Sequence, residues 1–319
     1  MEVKPNIIVM NFESVDRFTY DLLPQKTRDK YKKFELPNSI SVTKKGVIPL
    51  TVEAHQNILG NDLKKYSDMG YYTLYVTNSR YYPMSWEKSV KPFGVKSGYS
   101  EWLYSIFDHY WNLNVGPKMD FKHMITYLNK RIKPGMKPLF MMIQEMDTHN
   151  PFNSTYNPNF NNMWSQITEL VTKNDLLKLD ERLRQKGLEN KYKNIPRESP
   201  ITLMCICSIY NDLDLELFDN YIQIKQILNN SRKIQLTIID KLLNDLFTYL
   251  DSLDNTIFHI IGDHHMGCGD MDGIIGNLAY LNVDKFPKYG NTIWLTNQEL
   301  DKNKTYYTYN FQDIISDVF

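Results

Sequence analysis

Carboxylate and imidazole side chains follow three apolar segments of this chain. They are Glu13 after IIVMNF, Glu145, Asp147 and His149 at the end of LFMMIQEMDTH, and Asp263, His264 and His265 after IFHIIG. Side chains of these types supply the oxygen and nitrogen ligands of divalent Mn, Zn, Mg or Ca ions. Asp263 and His264 carry the strongest signal, because two adjacent ionisable groups after an apolar run are costly to place without partners. For Glu13, an exposed carboxylate at the end of a strand remains the alternative.

A hydroxyl group suited to nucleophilic attack precedes one of the predicted helices. Thr51 stands at the start of TVEAHQNILGN. The free N–H groups and the dipole at a helix N-terminus favour a bound anion. A metal ion beside the hydroxyl would lower its pKa, so that the oxygen attacks a phosphorus or sulfur centre. The alternative is that Thr51 only caps the helix.

The other histidines are assigned no chemical role. They are His55, His109, His123 and His259. His259 lies inside an apolar segment, so we expect it to be a core or interface residue. For His149, the alternative is a loop position set by the turn at Asn150 and Pro151.

These side chains must be positioned by short strands that alternate with helices. The strands are predicted at 6–13, 72–78, 138–145, 256–263 and 291–297, and the helices at 54–69, 120–133 and 211–252. Segments that are apolar on both faces suit strands covered by helices on each side. The pattern predicts a three-layer α/β/α sandwich with a mostly parallel central sheet. In such sheets the reactive groups gather beyond the carboxyl ends of the strands.

The domain organisation is predicted to be simple. The chain has 319 residues, enough to bury a sizeable core, and it shows no repeat and no dividing linker. We therefore expect one domain over 1–319. The interval 153–210 is rich in Asn and Lys and breaks the alternation of strand and helix, so it is predicted to be an insertion over one face of the sheet.

Charge and composition exclude several classes of function. The 37 basic and 37 acidic side chains balance, so the chain lacks the excess positive charge that binding to nucleic acid or to an anionic membrane favours. The sequence shows no signal peptide and no long apolar span, so we expect a soluble chain whose compartment stays open. Three cysteines form neither a disulfide framework nor a zinc motif. The oligomeric state is not predicted.

Five segments resemble, in the same order, motifs of the alkaline phosphatase and sulfatase superfamily. PNIIVMNFES is similar to the opening strand with its metal-binding acid, and SDMGYYTLYVTNSR to the second strand segment. KPLFMMIQEMDTHNPF resembles the third strand, LDSLDNTIFHIIGDHHMGCGD the strand that carries SDHG, and FQDIISDVF a closing segment. The matches cover nearly the whole chain apart from the insertion. The resemblance implies an alkaline-phosphatase-like fold.

The resemblance also implies a site with one divalent ion and a threonine nucleophile. Sulfatases carry a Cys or Ser that matures to formylglycine, but the corresponding stretch here, TVEAHQNILGN, has neither. Phosphoglycerol and phosphoethanolamine transferases use a threonine, and their pattern maps onto the ligand set Glu13, Thr51, Asp263 and His264. Two-zinc members need an additional Asp and His set and a late histidine, whereas the last histidine here is His265, so one ion is expected. Glu145 and His149, spaced by four residues, keep a second ion as the alternative.

We therefore expect a metal-dependent hydrolase or transferase that acts on small-molecule, lipid or glycan phosphate esters. Thr51 would attack, and His149 would bind the transferred group or protonate the leaving oxygen. Arg17 and His265 are candidates for binding the same anionic group. Two alternatives stay open: a sulfate-ester hydrolase that uses an unmodified Thr51, and an inactive binding or structural protein on the same fold.

Overall fold

The structure is a computed structural model. It describes residues 4–13, 15–42, 44, 51–60, 64–77, 85–87, 107–112, 126, 128–133, 135–145, 148, 166–167, 169–185, 217–263 and 291–316. For a few of these residues, including 51–53 and 85–87, the backbone alone is described.

A seven-stranded sheet forms the centre of the fold. Its strands are β1 (Asn6–Phe12), β3 (Tyr72–Thr77), β4 (Ser85–Glu87), β5 (His109–Asn112), β6 (Leu139–Glu145), β7 (Thr256–Gly262) and β8 (Trp294–Thr296). The order is β4-β5-β3-β6-β1-β7-β8. The five inner strands are parallel, and β4 and β8 pair antiparallel at the edges. A two-stranded sheet joins β2 (Ser39–Ile40) to β9 (Tyr306–Tyr307). The mostly parallel central sheet is thus confirmed.

Helices cover both faces of this sheet. They are α1 (Arg17–Asp21), α2 (Gln25–Tyr31), α3 (Thr51–Leu59), α4 (Lys64–Asp68), α5 (Lys173–Gln185), α6 (Tyr221–Leu250) and α7 (Phe311–Ser316). On one face, α6 packs its apolar residues against Ile8, Met10 and Phe12 of β1. On the other, α3 and α7 pack against Ile7 and Val9. The structure therefore has the three predicted layers.

The C-terminal half of α6 follows from its sequence pattern. Its buried residues recur at spacings of three and four, which places them along one face of a helix. They are Ile238, Ile239, Leu242, Leu243, Leu246, Phe247 and Leu250. The predicted helix at 211–252 is confirmed over Tyr221–Leu250.

None of the helices in the described residues combines the length and apolarity that a membrane crossing needs.

The single helix predicted at 54–69 is wrong, because the segment forms two helices. The first, α3, ends at Leu59, and Gly60 follows with φ of 73°. Its N–H donates to the carbonyl of Gln56 at 2.8 Å, which closes the last turn before the positive φ stops the helix. The second helix, α4, begins at Lys64. The break at Gly60 therefore limits α3 to the nine residues Thr51–Leu59.

Candidate active site at the carboxyl ends of β1 and β7

Glu13 and Asp263 follow neighbouring parallel strands that run in register. Phe12 lies beside Gly262, and the ladder continues one step further because the Asp263 N–H donates to the Phe12 carbonyl at 3.3 Å. Side chains alternate between the faces of a strand, so both carboxylates share the face of Val9 that packs against α3 and α7. They are 0 % and 1 % exposed. Two carboxylates are therefore enclosed at the carboxyl edge of the sheet.

Each of these carboxylates accepts a hydrogen bond from a neutral amide. Gln144 Nε2 donates to Glu13 Oε2, and Asn11 Nδ2 donates to Asp263 Oδ2, both at 3.4 Å. Burial of a carboxylate costs free energy that hydrogen bonds or a nearby cation must offset. Paired carboxylate oxygens are ligands that hard divalent ions prefer. The donor set present here therefore fits part of a metal site.

Buried hydroxyl groups hold the backbone around both carboxylates. Thr148 Oγ1 donates to the carbonyl of Glu13 at 2.7 Å. Ser41 Oγ donates to the carbonyl of Asp263, and Thr292 Oγ1 to that of Gly262. A satisfied buried carbonyl resists local rearrangement, because breaking its bond leaves an unpaired polar group. The strand ends that carry Glu13 and Asp263 are thus fixed from three separate segments.

Gly262, the last residue of β7, allows the chain after β1 to come close. A Cβ atom at this position would stand 1.7 Å from the carbonyl oxygen of Val15 and 2.8 Å from Thr292 Oγ1. No side chain fits at such a distance without displacement of the backbone. The glycine therefore lets Glu13 and Asp263 lie on adjacent, closely packed segments.

Gly262→Ala is expected to lower the free energy of unfolding by about 3 kcal/mol, the upper range for overpacking. Gly135→Ala is the control, because a Cβ there meets nothing within 4 Å. Its positive φ makes alanine cost about 1–2 kcal/mol. Denaturant unfolding of both variants measures the difference. Equal losses would contradict the close approach at Gly262.

The helix that begins at Thr51 reaches the same face through His55. His55 is 0 % exposed, and its Nε2 lies 3.0 Å from Asn11 Nδ2. Asn11 is also fully buried and precedes Glu13 by two residues in β1. Sequence reasoning assigned no role to either residue. The available signal was a polar residue inside the apolar run IIVMNF.

Arg17 lies at the start of α1, and its guanidinium is engaged by two carboxylates. Nε is 3.0 Å from Asp21 Oδ1, and Nη1 pairs with Glu35. The side chain is 26 % exposed. Asp16 caps this helix by accepting a hydrogen bond from the Thr19 N–H at 2.7 Å. The structure thus places Arg17 beside acidic partners of its own fold.

The remaining predicted site residues lie outside the described part of the chain. They are His149, His264, His265 and the side chain of Thr51. Within the described ranges, no group of three or more His, Cys, Asp and Glu side chains is arranged to hold a metal ion. Two of the four predicted ligands, Glu13 and Asp263, are described.

The side chains of Glu145 and His259, two further ionisable residues of the strands β6 and β7, lie away from the pair Glu13 and Asp263. Glu145 is in register with Phe12, so its side chain lies on the face opposite to Glu13. His259 belongs to the core, as expected, and its Nδ1 accepts a hydrogen bond from Trp294 Nε1 at 3.2 Å. Burial lowers the pKa of His259 to about 3, so its imidazole stays neutral near pH 7.

The chain is similar to known proteins in its structure but not in its sequence. No protein-family model matches the chain, and no curated protein matches its sequence. A Vibrio parahaemolyticus protein of the alkaline phosphatase superfamily has a TM-score of 0.52 and 10 % identity, with 100 % of this chain and 67 % of that chain covered. The zinc complex of the C-terminal periplasmic domain of EcEptC from Escherichia coli also has a TM-score of 0.52 and 10 % identity, with 100 % of this chain and 83 % of that chain covered.

A third similar structure is the soluble domain of lipooligosaccharide phosphoethanolamine transferase A from Neisseria meningitidis. Its TM-score is 0.51 at 11 % identity, with 99 % of this chain and 88 % of that chain covered. At sequence identities this low, the likeness shows a shared fold but does not show a shared activity. These likenesses show that the chain has an alkaline-phosphatase-like fold.

Proposed function

We propose that this chain is a hydrolase or transferase of phosphate esters that depends on one divalent metal ion and a threonine nucleophile. The observation that carries the proposal is the pair of buried carboxylates, Glu13 and Asp263, on the face of the sheet that packs against α3. The helix begins at Thr51. Carboxylates at the carboxyl edge of a parallel sheet stand where active sites of such folds lie.

Glu13 and Asp263 would hold the ion, and Thr51 and His264 would complete its ligand set. The described pair would supply oxygen ligands, and a divalent cation would compensate the negative charge of two buried carboxylates. The zinc complex of the Escherichia coli neighbour supports a divalent ion in a fold of this kind. When bound, the ion would lower the pKa of the threonine hydroxyl and polarise a non-bridging oxygen of the substrate.

Thr51 would form the covalent bond to the transferred group. Its hydroxyl would release its proton to water and the oxygen would attack phosphorus, while the bond between phosphorus and the leaving alcohol oxygen breaks. His149 would donate a proton to that leaving oxygen. Water or an acceptor alcohol would then give its proton to His149, attack the phosphothreonine and release the threonine, which takes a proton back from water. The N-terminal turn of α3 would place backbone N–H groups near the anionic group.

Arg17 and His265 are the proposed binding residues for the anionic group. Arg17 already pairs with Asp21 and Glu35, but a guanidinium carries five N–H donors in a fork. Substrate contact by Arg17 would use the donors that these carboxylates leave. Its effect on turnover should therefore be smaller than that of either metal-binding carboxylate.

A substrate panel tests the proposed function. The chelator-treated chain is reloaded with Mn, Zn, Mg or Ca and offered an aryl phosphomonoester, a phosphodiester and a sulfate with the same leaving group. We expect turnover of a phosphate ester that needs the ion and exceeds that of the sulfate. Turnover of the sulfate alone would favour a sulfatase. A folded chain that turns over none of them with any ion would favour a binding protein.

A further inference from the structure

Asn11 is a polar residue where the sequence pattern of β1 calls for an apolar one. It shares its face with Ile7 and Val9, which belong to the core cluster against α3 and α7. Asn11 is 0 % exposed. A buried amide is tolerated only where it makes hydrogen bonds, since burial removes its contacts with water. The contacts of Asn11 therefore indicate why an amide stands there.

The amide nitrogen of Asn11 links two elements on either side of it. Nδ2 lies 3.0 Å from His55 Nε2 on α3 and 3.4 Å from Asp263 Oδ2 after β7. An amide nitrogen has two hydrogens, so it can donate to both at once. His55 Nε2 then acts as the acceptor, which requires the neutral tautomer with its hydrogen on Nδ1. The three side chains form a continuous chain of hydrogen bonds from α3 through β1 to Asp263.

The orientation of the amide is set by Asp263. The opposite orientation would turn the Asn11 oxygen toward the carboxylate, where two acceptors would face each other. In the observed orientation Asn11 Oδ1 is buried and has no hydrogen-bond partner in the described structure. An apolar residue would avoid that unsatisfied acceptor. The amide is therefore costly for packing alone, and the link between His55 and Asp263 accounts for its presence.

We propose that Asn11 and His55 are positioning residues, which fix the Asp263 carboxylate relative to the helix that begins at Thr51. This inference rests on the proposed function, because it takes Asp263 as a metal ligand and Thr51 as the nucleophile. His55 follows Thr51 by four residues in α3, which is about one helical turn or ~6 Å of rise. Anchoring at His55 therefore limits the movement of the first turn. Misplacement of a reacting group by about 1 Å costs on the order of 100-fold in rate.

Four variants of the full chain separate positioning from packing. Asn11→Leu keeps a similar volume and removes both hydrogen bonds. His55→Leu removes the acceptor, whereas His55→Gln offers an amide oxygen in its place. His259→Leu is the matched control, because His259 is equally buried on the same face of the sheet and bonds only to Trp294 among the described residues. Thermal unfolding of each variant first establishes that it is folded.

The readouts are the metal affinity of the chelator-treated chain, by calorimetric titration with Zn²⁺ or Mn²⁺, and kcat and KM measured separately. Asn11→Leu is expected to weaken metal binding by roughly 10–100-fold, as for residues that orient metal ligands. His55→Leu should lower kcat by about 10-fold or more with KM nearly unchanged, and His55→Gln should recover most of that loss. His259→Leu should change thermal stability alone.

The inference is overturned if folded Asn11→Leu binds metal as wild type does, or if His55→Gln is as impaired as His55→Leu. It is also overturned if His259→Leu loses metal affinity to the same extent. If Asn11→Leu does not fold, the two His55 variants decide the matter. A wild-type chain that binds no metal and turns over no ester refutes the proposed function instead, which distinguishes the two failures.

Discussion

Asp263→Asn is expected to lower the metal-dependent turnover of a phosphate ester by roughly 10³-fold, because a ligand contributes several kcal/mol of charge stabilisation through its ion. The carboxylate is 1 % exposed and faces Asn11. Asparagine keeps the shape of the side chain but removes the charge. The measurement is kcat/KM at saturating metal, with the metal content of each preparation recorded. A variant with near wild-type kcat/KM would exclude Asp263 as a ligand.

Glu145→Gln is the matched control for this substitution. Glu145 is 3 % exposed and ends β6, the strand beside β1. Its register with Phe12 places it on the face opposite to Glu13. Loss of its charge should therefore leave metal binding and turnover within about 3-fold of wild type, a change worth ~0.6 kcal/mol. Equal losses in Asp263→Asn and Glu145→Gln would show that the effect comes from buried charge in general.

Thr51→Ala is expected to lower kcat by at least roughly 10³-fold, since removal of a nucleophile leaves only the contribution of binding and charge stabilisation. Thr51 is the first residue of α3. Because Thr51 lies inside α3 and not at its N-cap, alanine should keep the free energy of unfolding within about 1 kcal/mol of wild type. Thermal unfolding and single-turnover kinetics on the same preparations separate these two effects.

Two further substitutions at this position distinguish a nucleophile from a hydroxyl with a purely structural role. Thr51→Ser retains a hydroxyl and should keep measurable turnover. Thr51→Asn keeps a polar side chain of similar size but has no nucleophilic oxygen of this kind, so it should fold and stay inactive. An active Thr51→Asn variant would exclude the covalent role.

The inner strands could be predicted from the sequence because each is a continuous apolar run. β1, β6 and β7 were located within one residue of their observed ends. The short strands β2, β4, β5 and β9 were missed. Their segments, such as Ser85–Glu87 and His109–Asn112, mix polar and aromatic residues, and they pair only because distant segments meet.

The candidate site was predictable where a residue ends a strand. Glu13 and Asp263 were found in this way, because parallel strands bring their carboxyl ends to one edge. The roles of Asn11, Gln144 and His55 could not be found, since they depend on the register between segments far apart in the chain. The pairing of Arg17 with Glu35 depends likewise on a tertiary contact that no local pattern specifies.

The metal content of purified wild type, Glu13→Gln and Glu145→Gln, measured side by side by elemental analysis, tests the proposed site most directly. Wild type and Glu145→Gln should each retain about one divalent ion per chain, and Glu13→Gln should retain less than about a tenth of that, because a site that loses one carboxylate ligand loses most of its affinity. Equal metal content in all three proteins would contradict a metal site at the carboxyl ends of β1 and β7.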